Sequence, residues 1–272
     1  MVKPACTIIT TCDGPRGNPH EKDYQRCALR LVKSVRARGG SCASLPVVCV
    51  HGEEVPPTPE TIQQLVSLGC RVVGRPTPYP WSPNAIKLAA IQVPVDTDYL
   101  LWMDSDIFVM TDFAELLQPV ELSAAPTSFA YHRWARPEDA EDWAALYRAL
   151  GKPVPAEVPR LVTHIDGVEG RFYLASGVAL FRRSSGLHVR WAEVGFEILR
   201  AVEEGRLAKH LSVNCNQTSL SIVALESKCD FLAAPERLHF VYALRRQCSS
   251  DSVLVHYQDS RVTEVPDEEW FV

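Results

Sequence analysis

Residues 99–110 read YLLWMDSDIFVM, and the fold of the chain can be worked out from this stretch outward. An apolar run ends directly in Asp104 and Asp106, with Ser105 between them, and apolar residues resume at Ile107. Burial of an unpaired carboxylate costs free energy, so a strand that runs into two of them needs a compensating cation. The stretch therefore predicts a core strand with a charged site at its carboxyl end.

Strand and helix signals alternate on the amino-terminal side of this stretch. Apolar runs predict strands at 5–11, 45–50, 70–73 and 99–104, and amphipathic spacing predicts helices at 22–38, 58–69 and 82–93. Strands that alternate with helices indicate right-handed βαβ units. The strands are apolar throughout, as in a parallel sheet that is covered on both faces. We predict an α/β fold with a mostly parallel central sheet flanked by helices.

The regular alternation ends after Met110. The patterns that follow predict helices at 113–117, 136–151, 187–205 and 216–225, and strands at 172–181 and 252–257. No internal repeat, low-complexity block or long linker interrupts the sequence. We therefore predict a single domain over residues 1–272.

Composition excludes several classes of protein. The chain has 272 residues, of which 46% are hydrophobic and 22% are charged, and its net charge is -5. An acidic chain without a basic run is not expected to bind nucleic acid. The sequence has no stretch of the length of a membrane span and no recognisable secretory signal, which predicts a cytoplasmic protein. The nine cysteines contain no CxxC pair, so we expect reduced structural thiols such as Cys6, Cys49 and Cys70.

The two aspartates favour a metal site. In an extended segment Asp104 and Asp106 share one face, and at the end of a parallel strand that face borders the crevice where open α/β sheets bind ligands. Close carboxylates with no cationic residue nearby in the sequence repel each other, and a divalent ion such as Mg²⁺ or Mn²⁺ relieves the repulsion. The alternative is that one aspartate caps the following turn while the other is solvated.

Six stretches occur in an order that resembles the glycogenin-like retaining glycosyltransferases. They are TIITTCD at 7–13, NAIKLAAI at 84–91, YLLWMDSDIFV at 99–109 with TDFAELL at 111–117, ASGVALFR at 175–182, NCNQTSL at 214–220 and VLVHYQ at 253–258. The resemblance implies the Rossmann-like glycosyltransferase-A fold. It further implies metal-dependent transfer of a sugar, with retention of configuration, from a nucleotide-diphosphate sugar (a UDP-sugar) to a small-molecule or glycan acceptor.

The resemblance also assigns roles along the chain. It implies a nucleotide-binding half at 1–110 and, at 111–272, a half that binds the acceptor and completes the metal site. The implied ligands of Mn²⁺ or Mg²⁺ are Asp104, Asp106 and His256. The implied donor-binding residues are Thr10, Thr11, Lys87, Asp104, Ser105, Ser176 and Gly177, and the implied catalytic residues are Asn216, Gln217 and Lys87. Without the resemblance, Lys87 reads equally well as a solvated helix lysine, and Thr10 and Thr11 as ordinary strand residues.

Two positions depart from the family pattern. Ala175 stands where the family usually has asparagine, so a polar contact to the sugar is lost. Asn216 stands where the family usually has aspartate, and an amide cannot act as a carboxylate nucleophile or a general base. Either the donor sugar differs or the displacement proceeds on the front face, led by the leaving group.

Other residues and other functions stay open. Trp81, Trp134 and Trp143 are candidates for the acceptor groove, which we expect within 131–171, while Trp102 is interpreted as core packing. Six histidines lack ligand spacing and are predicted to be surface or core residues: His51, His132, His164, His188, His210 and His239. A nucleotidyltransferase is a second possibility, with CDGPRGNP at 12–19 as a poor phosphate loop. A catalytically weak nucleotide-sugar-binding protein is a third. The sequence leaves the oligomeric state open.

Overall fold

A computed structural model describes residues 5–15, 23–128, 134–135, 140–241 and 250–257. Its main sheet has seven strands in the order β10-β6-β9-β4-β1-β2-β3. These strands are β1 (Cys6–Thr11), β2 (Val47–Gly52), β3 (Cys70–Arg75), β4 (Tyr99–Met103), β6 (Leu122–Pro126), β9 (Leu174–Arg182) and β10 (Phe231–Ala233). All neighbouring pairs are parallel except those of β9, which runs antiparallel to both β4 and β6. The predicted α/β fold with a mostly parallel sheet is confirmed.

Two small sheets complete the strands. One has the order β11-β12-β5 and consists of β5 (Ile107–Val109), β11 (Phe240–Val241) and β12 (Leu254–His256). The other pairs β7 (Arg160–Val162) with β8 (Glu169–Arg171). In the first sheet, β12 is antiparallel to β5 and parallel to β11. This pairing brings the end of the chain's last described strand back to the segment that follows β4.

The helices are α1 (Tyr24–Arg38), α2 (Pro59–Ser67), α3 (Ala85–Ala90), α4 (Ala140–Ala149), α5 (Leu187–Glu203) and α6 (Cys215–Ser227). Helix α1 begins after Asp23, whose side chain accepts from the Arg26 amide at 3.0 Å. Helix α2 begins after Thr58, which caps it in the same way, with Pro59 in the first turn. Helix α3 is shorter than predicted, because the residues before Ala85 form turns.

Both faces of the central sheet are buried, which explains the unbroken apolar runs. Along β4, Leu100 and Trp102 belong to a core cluster that contains residues of α3, α5 and α6. Leu101 and Met103 belong to a second cluster that contains residues of α1 and α2. Because successive strand residues point to opposite faces, a strand covered on both sides must be apolar at every position.

The structure adds strands that the sequence patterns did not predict, namely β5, β6, β7, β8, β10 and β11. Most are three residues long or shorter, which is too short for the two-residue alternation of apolar and polar side chains to be recognised in the sequence. The predicted thiols Cys6, Cys49 and Cys70 are buried and free. Within the described ranges, no helix is both long and apolar enough to cross a lipid bilayer.

Candidate active site

The two aspartates lie in a turn directly after β4. The amide of Asp104 donates to the carbonyl of Gly177 at 2.8 Å, and the amide of Ile107 donates back to the carbonyl of Asp104 at 3.0 Å. The chain then continues as β5. The sequence predicts that both carboxylates share one face of an extended strand, and this prediction is wrong, because a tight turn brings them together. Asp104 nevertheless follows the carboxyl end of a core strand, as predicted.

His256 reaches the aspartates through strand pairing. In the antiparallel pair of β12 and β5, His256 lies opposite Ile107, next to Asp106. Its Nε2 is 3.1 Å from Asp106 Oδ2 and 3.8 Å from Asp104 Oδ2. His256 and Asp106 are 150 positions apart in sequence, so the β12–β5 pairing alone decides this contact.

The three side chains are suited to hold a divalent cation. One ligand atom from each of Asp104, Asp106 and His256 lies within 4.8 Å of the other two. Asp106 and His256 are buried, whereas the Asp104 side chain keeps 18% of its surface exposed toward the cavity described below. Two carboxylates and one imidazole form a donor set that Mn²⁺ accepts well and that Mg²⁺ accepts less readily because of the nitrogen. The residues present therefore fit a divalent metal.

Lys87 supplies the positive charge that the local sequence lacks. Its Nζ lies 2.5 Å from Asp104 Oδ1, and its side chain is only 12% exposed. The ammonium also lies 5.3 Å from the centre of the Trp102 ring and 3.4 Å from the Ser176 carbonyl oxygen. Lys87 is therefore not the solvated helix lysine of the alternative interpretation. Its charge compensates that of Asp104, which would otherwise carry a large desolvation cost beside Asp106.

Trp102 has a role beyond core packing. Its indole N–H donates to Asp104 Oδ1 at 2.9 Å while its ring is fully buried. Oδ1 of Asp104 thus accepts the hydrogen bond from Trp102 and pairs with the Lys87 ammonium, while Oδ2 is the oxygen nearer to His256. Because the hydrogen bond fixes the rotation of the carboxylate, Trp102 orients Asp104.

The first turn of α6 faces the same cavity. Asn216 Nδ2 donates to Ser176 Oγ at 2.7 Å, and Tyr173 OH donates to Gln217 Oε1 at 2.9 Å. The Asn216 backbone carbonyl accepts from the buried Trp191 indole at 2.7 Å. The amide group of Gln217 therefore keeps its N–H donors, and that of Asn216 keeps its oxygen as an acceptor.

A cavity of about 440 Å³ joins these groups. Its lining contains the following predicted site residues: Thr11, Lys87, Asp104, Ser105, Asp106, Ser176, Asn216, Gln217 and His256. The lining also includes Asp13, whose Oδ1 accepts from the Gly52 amide at 2.8 Å and which the site prediction did not name. Thr10 and Gly177 do not line it. Thr10 is fully buried in β1, whereas Gly177 lies behind His256.

Sequence reasoning missed the role of His239, which it placed among the scattered histidines. This side chain is buried, and its Nε2 lies 3.0 Å from Nδ1 of His256. Burial lowers the pKa of His239 well below its usual range, and the neighbouring His256 lowers it further. No local motif marks His239, because its contact arises from the parallel pairing of β11 with β12.

The aromatic candidates for the acceptor groove differ in exposure. Trp134 and Trp143 are buried and pack edge to face with centroids 5.3 Å apart. Trp81 keeps 38% of its surface exposed, and Lys209 Nζ lies 5.7 Å from its ring centre. Of the expected acceptor stretch 131–171, residues 131–133 and 136–139 lie outside the described ranges, as does Arg16 of the CDGPRGNP loop.

Comparison with solved structures identifies the fold. The chain matches galactosyltransferase LgtC in complex with donor and acceptor sugar analogs, with a TM-score of 0.54 and 14% identity over 93% of this chain and 87% of that one. An active-site mutant of LgtC matches with a TM-score of 0.56 and 13% identity, again over 93% of this chain and 87% of that one. Mouse xyloside xylosyltransferase 1 in its apo form matches with a TM-score of 0.50 and 14% identity over 93% of this chain and 96% of that one. These likenesses confirm the glycosyltransferase-A fold.

Comparison of the sequence identifies the family. A search of curated proteins found no significantly similar sequence. Residues 19–227, however, match the family described as the Rhodobacterales glycosyltransferase domain. This range contains the Asp104–Asp106 turn, Lys87, Ser176 and Asn216 and ends before His256. The predicted resemblance to a glycosyltransferase family is confirmed: the chain belongs to the Rhodobacterales glycosyltransferase domain family and is a glycosyltransferase.

Proposed function

We propose that this glycosyltransferase transfers a sugar from a UDP-sugar to a glycan or small-molecule acceptor, with retention of configuration and with Mn²⁺ or Mg²⁺ bound at Asp104, Asp106 and His256. One observation carries the proposal: these three ligand atoms lie within 4.8 Å of one another in a cavity at the carboxyl end of β4. A divalent ion held by these residues would stabilise the negative charge that develops on the departing diphosphate. The choice of uracil as the base rests on the family resemblance.

The protein's own side chains prepare the site for that charge. Lys87 places an ammonium among the carboxylates, and it is free to pair with a phosphate oxygen once a metal takes over the charge of Asp104. Helix α6 begins at Cys215, and Asn214, Asn216 and Gln217 of its first turn and cap line the cavity. Because the amino-terminal end of a helix carries a partial positive charge, this turn favours an anionic ligand.

The proposed displacement takes place on the front face of the sugar. A double displacement needs a carboxylate that attacks the anomeric carbon, and Asn216 offers only an amide. Among the described cavity-lining residues the carboxylates are Asp13, Asp104 and Asp106. Asp13 accepts the Gly52 amide, and the other two are assigned to the metal. Asn216 and Gln217 are then available to hydrogen-bond the donor sugar rather than to attack it.

The acceptor is proposed to bind on the side of the cavity where α3 begins, because the stretch 131–171 expected from the sequence contributes no residue to the described lining of the cavity. Pro83, Asn84 and Val213 line the cavity there, and Asn84 Nδ2 donates to the Val213 carbonyl at 2.9 Å. Val213 is 65% exposed, and Trp81, two residues before Pro83, is also exposed. Exposed aromatic and apolar groups beside a polar cavity suit the apolar face of a sugar ring. A cytoplasmic location, also part of this proposal, agrees with the free thiols of Cys6, Cys49 and Cys70.

The test is release of nucleoside diphosphate from a panel of nucleotide sugars with Mn²⁺, followed by determination of the product's anomeric configuration. We expect release from at least one UDP-sugar, loss of release in Asp106→Asn, and unchanged release in Asp96→Asn. Asp96 is a matched control, because it is exposed in the loop that enters β4 at the opposite end. Pyrophosphate formed from nucleoside triphosphates would indicate a nucleotidyltransferase, and binding without any release would indicate a catalytically weak binding protein.

Asn216→Asp tests whether Asn216 contacts the donor sugar. The change restores the acid that the family usually carries and places it 2.7 Å or so from Ser176 Oγ, where the amide nitrogen lies now. We expect the rate or the choice of donor sugar to change, since the new carboxylate lies beside the proposed sugar position. If both stay as in the parent protein, Asn216 does not contact the donor sugar.

A further inference from the structure

His239 stands directly behind His256, on the side away from the carboxylates. Its Nε2 is 3.0 Å from His256 Nδ1, and the ring centroids are 5.1 Å apart with an interplanar angle of 51°. We propose that His239 is a positioning residue that holds His256 in the tautomer able to bind the metal. This inference rests on the metal site of the proposed function.

The imidazole ring of His256 can bind a metal in only one of its two neutral tautomers. A neutral imidazole carries one proton, so its two nitrogens cannot both be acceptors. His256 points Nε2 at Asp106, and this nitrogen can coordinate a metal only as a lone pair. The proton must then reside on Nδ1, where its hydrogen-bond partner is Nε2 of His239. His239 accepts that proton's hydrogen bond and so fixes the tautomer and the ring rotation together.

A competing arrangement shows why such a partner matters. With its proton on Nε2, His256 can donate to Asp106 Oδ2 across the same 3.1 Å, and Nε2 then has no lone pair left for a metal. When Nε2 of His239 is an acceptor, it disfavours this arrangement, because two acceptor nitrogens would then face each other. His239 serves as that acceptor when its own proton lies on Nδ1, and the 3.0 Å between its Nε2 and His256 Nδ1 suits a hydrogen bond with one proton between the two nitrogens.

The surrounding backbone is shaped to hold both rings. Gly177 lies against them, and a Cβ at that position would be 2.3 Å from His239 Nε2 and 2.7 Å from His256 Nδ1. Only a residue without a side chain leaves room for this hydrogen bond. On the other side, the His239 amide donates to the Glu236 carbonyl at 2.9 Å, and β11 follows at once with Val241 paired to His256. The backbone of each histidine is thus fixed relative to the other.

The test compares His239→Leu with His239→Gln. Binding of Mn²⁺ to the full chain is measured by electron paramagnetic resonance of the free ion, without donor, and the melting temperature is measured by circular dichroism. Leucine fills the space but accepts no hydrogen bond, so we expect Mn²⁺ affinity to fall by about 10-fold to 100-fold. Glutamine places its Oε1 near the position of Nε2, so we expect affinity within about threefold of the parent protein. His188→Leu, a partly buried histidine beside Phe181, is the control and should not change Mn²⁺ affinity.

The possible outcomes separate this inference from the proposed function. Equal Mn²⁺ affinity in His239→Leu and the parent protein would overturn the inference alone, as would a glutamine variant that is folded and yet binds as weakly as the leucine variant. If the leucine variant does not fold, His239→Asn replaces it, because its shorter amide does not reach His256 and should weaken binding in the same way. A parent protein that binds Mn²⁺ and shows the leucine–glutamine difference without turning over any nucleotide sugar would refute the proposed function but not this inference. No Mn²⁺ binding by the parent protein would refute both.

Discussion

Lys87→Met should destabilise the metal-free protein and at the same time tighten its binding of Mn²⁺. The substitution removes the ammonium, which lies 2.5 Å from Asp104 Oδ1 and 5.3 Å from the centre of the Trp102 ring, and keeps most of the apolar length of the side chain. Asp104 is then left beside Asp106 without its counter-charge. A divalent cation restores the balance of charge, so the loss of stability should depend on the metal.

The size of the effect follows from the burial of the pair. Breaking a buried ion pair costs about 3–5 kcal/mol, whereas an exposed pair contributes about 0–1 kcal/mol. The side chains of Lys87 and Asp104 are 12% and 18% exposed, and Asp104 keeps its hydrogen bond from Trp102. We therefore expect the free energy of unfolding to fall by about 2 kcal/mol, which corresponds to roughly 4–8 °C in melting temperature for a chain of this size.

The assay is thermal unfolding with a chelator and then with increasing Mn²⁺. In the parent protein, Mn²⁺ competes with the Lys87 ammonium for Asp104, and in the variant it does not. The variant should bind Mn²⁺ about tenfold or more tightly without donor, and saturating Mn²⁺ should remove most of the difference in melting temperature. Lys152→Met is the matched control, since Lys152 pairs with Glu226 at 2.6 Å in a more exposed setting, 21% and 35%. It should cost about 0–1 kcal/mol, with no dependence on Mn²⁺.

Two results would refute this reasoning. A Lys87→Met variant as stable as the parent protein in the presence of chelator would show that the ion pair does not compensate Asp104. A destabilised variant that Mn²⁺ stabilises no more than the parent would show that lysine and metal do not share the carboxylate.

Three further predictions concern Gly177, which lies against the two histidines, the acceptor side of the cavity, and the dependence of stability on pH. Gly177→Ala should lower the free energy of unfolding, measured by urea denaturation, by about 1–3 kcal/mol, and it should weaken Mn²⁺ binding, because the new Cβ overlaps the imidazoles of His239 and His256. Unchanged Mn²⁺ binding would mean that the two rings do not need this space. Trp81→Ala should raise the KM for the acceptor roughly threefold to tenfold while donor hydrolysis stays constant, since Trp81 is exposed two residues before Pro83, which lines the cavity. A raised donor KM would place the ring on the other substrate. The pKa of His188 is lowered from 6.5 by burial and by the charge of Arg183. As the pH falls, the unfolded chain therefore takes up this proton before the folded chain does. The contribution of His188 to the free energy of unfolding is fully present well above pH 6.5 and is lost as the pH falls through the folded-state pKa. His188→Gln should make the fall in stability with acidification shallower in urea denaturation, and an unaltered slope would contradict the assignment.

Much of the fold was predictable because its signals are local. The apolar runs at β1, β2 and β4 and the Thr58-Pro59 start of α2 each lie within a few residues, where backbone preference and burial act directly. The reversed strand β9 was recognised as a strand, but its antiparallel direction was not predicted, since direction depends on the connection across the sheet. A charged site after β4 was also predictable, because two carboxylates in an apolar run require compensation wherever they occur, but the turn that brings them together was not.

The arrangement of the candidate site was decided by the tertiary structure. The sequence order of motifs suggested His256 as a metal ligand, but only the pairing of β12 with β5 places its Nε2 3.1 Å from Asp106. Neither the ion pair of Lys87 with Asp104 nor the contact of His239 with His256 has a local signature. The physical reason is that the periods of helices and strands report which face of an element is buried, whereas the identity of the neighbour on that face is set by strand pairing between segments far apart in the chain.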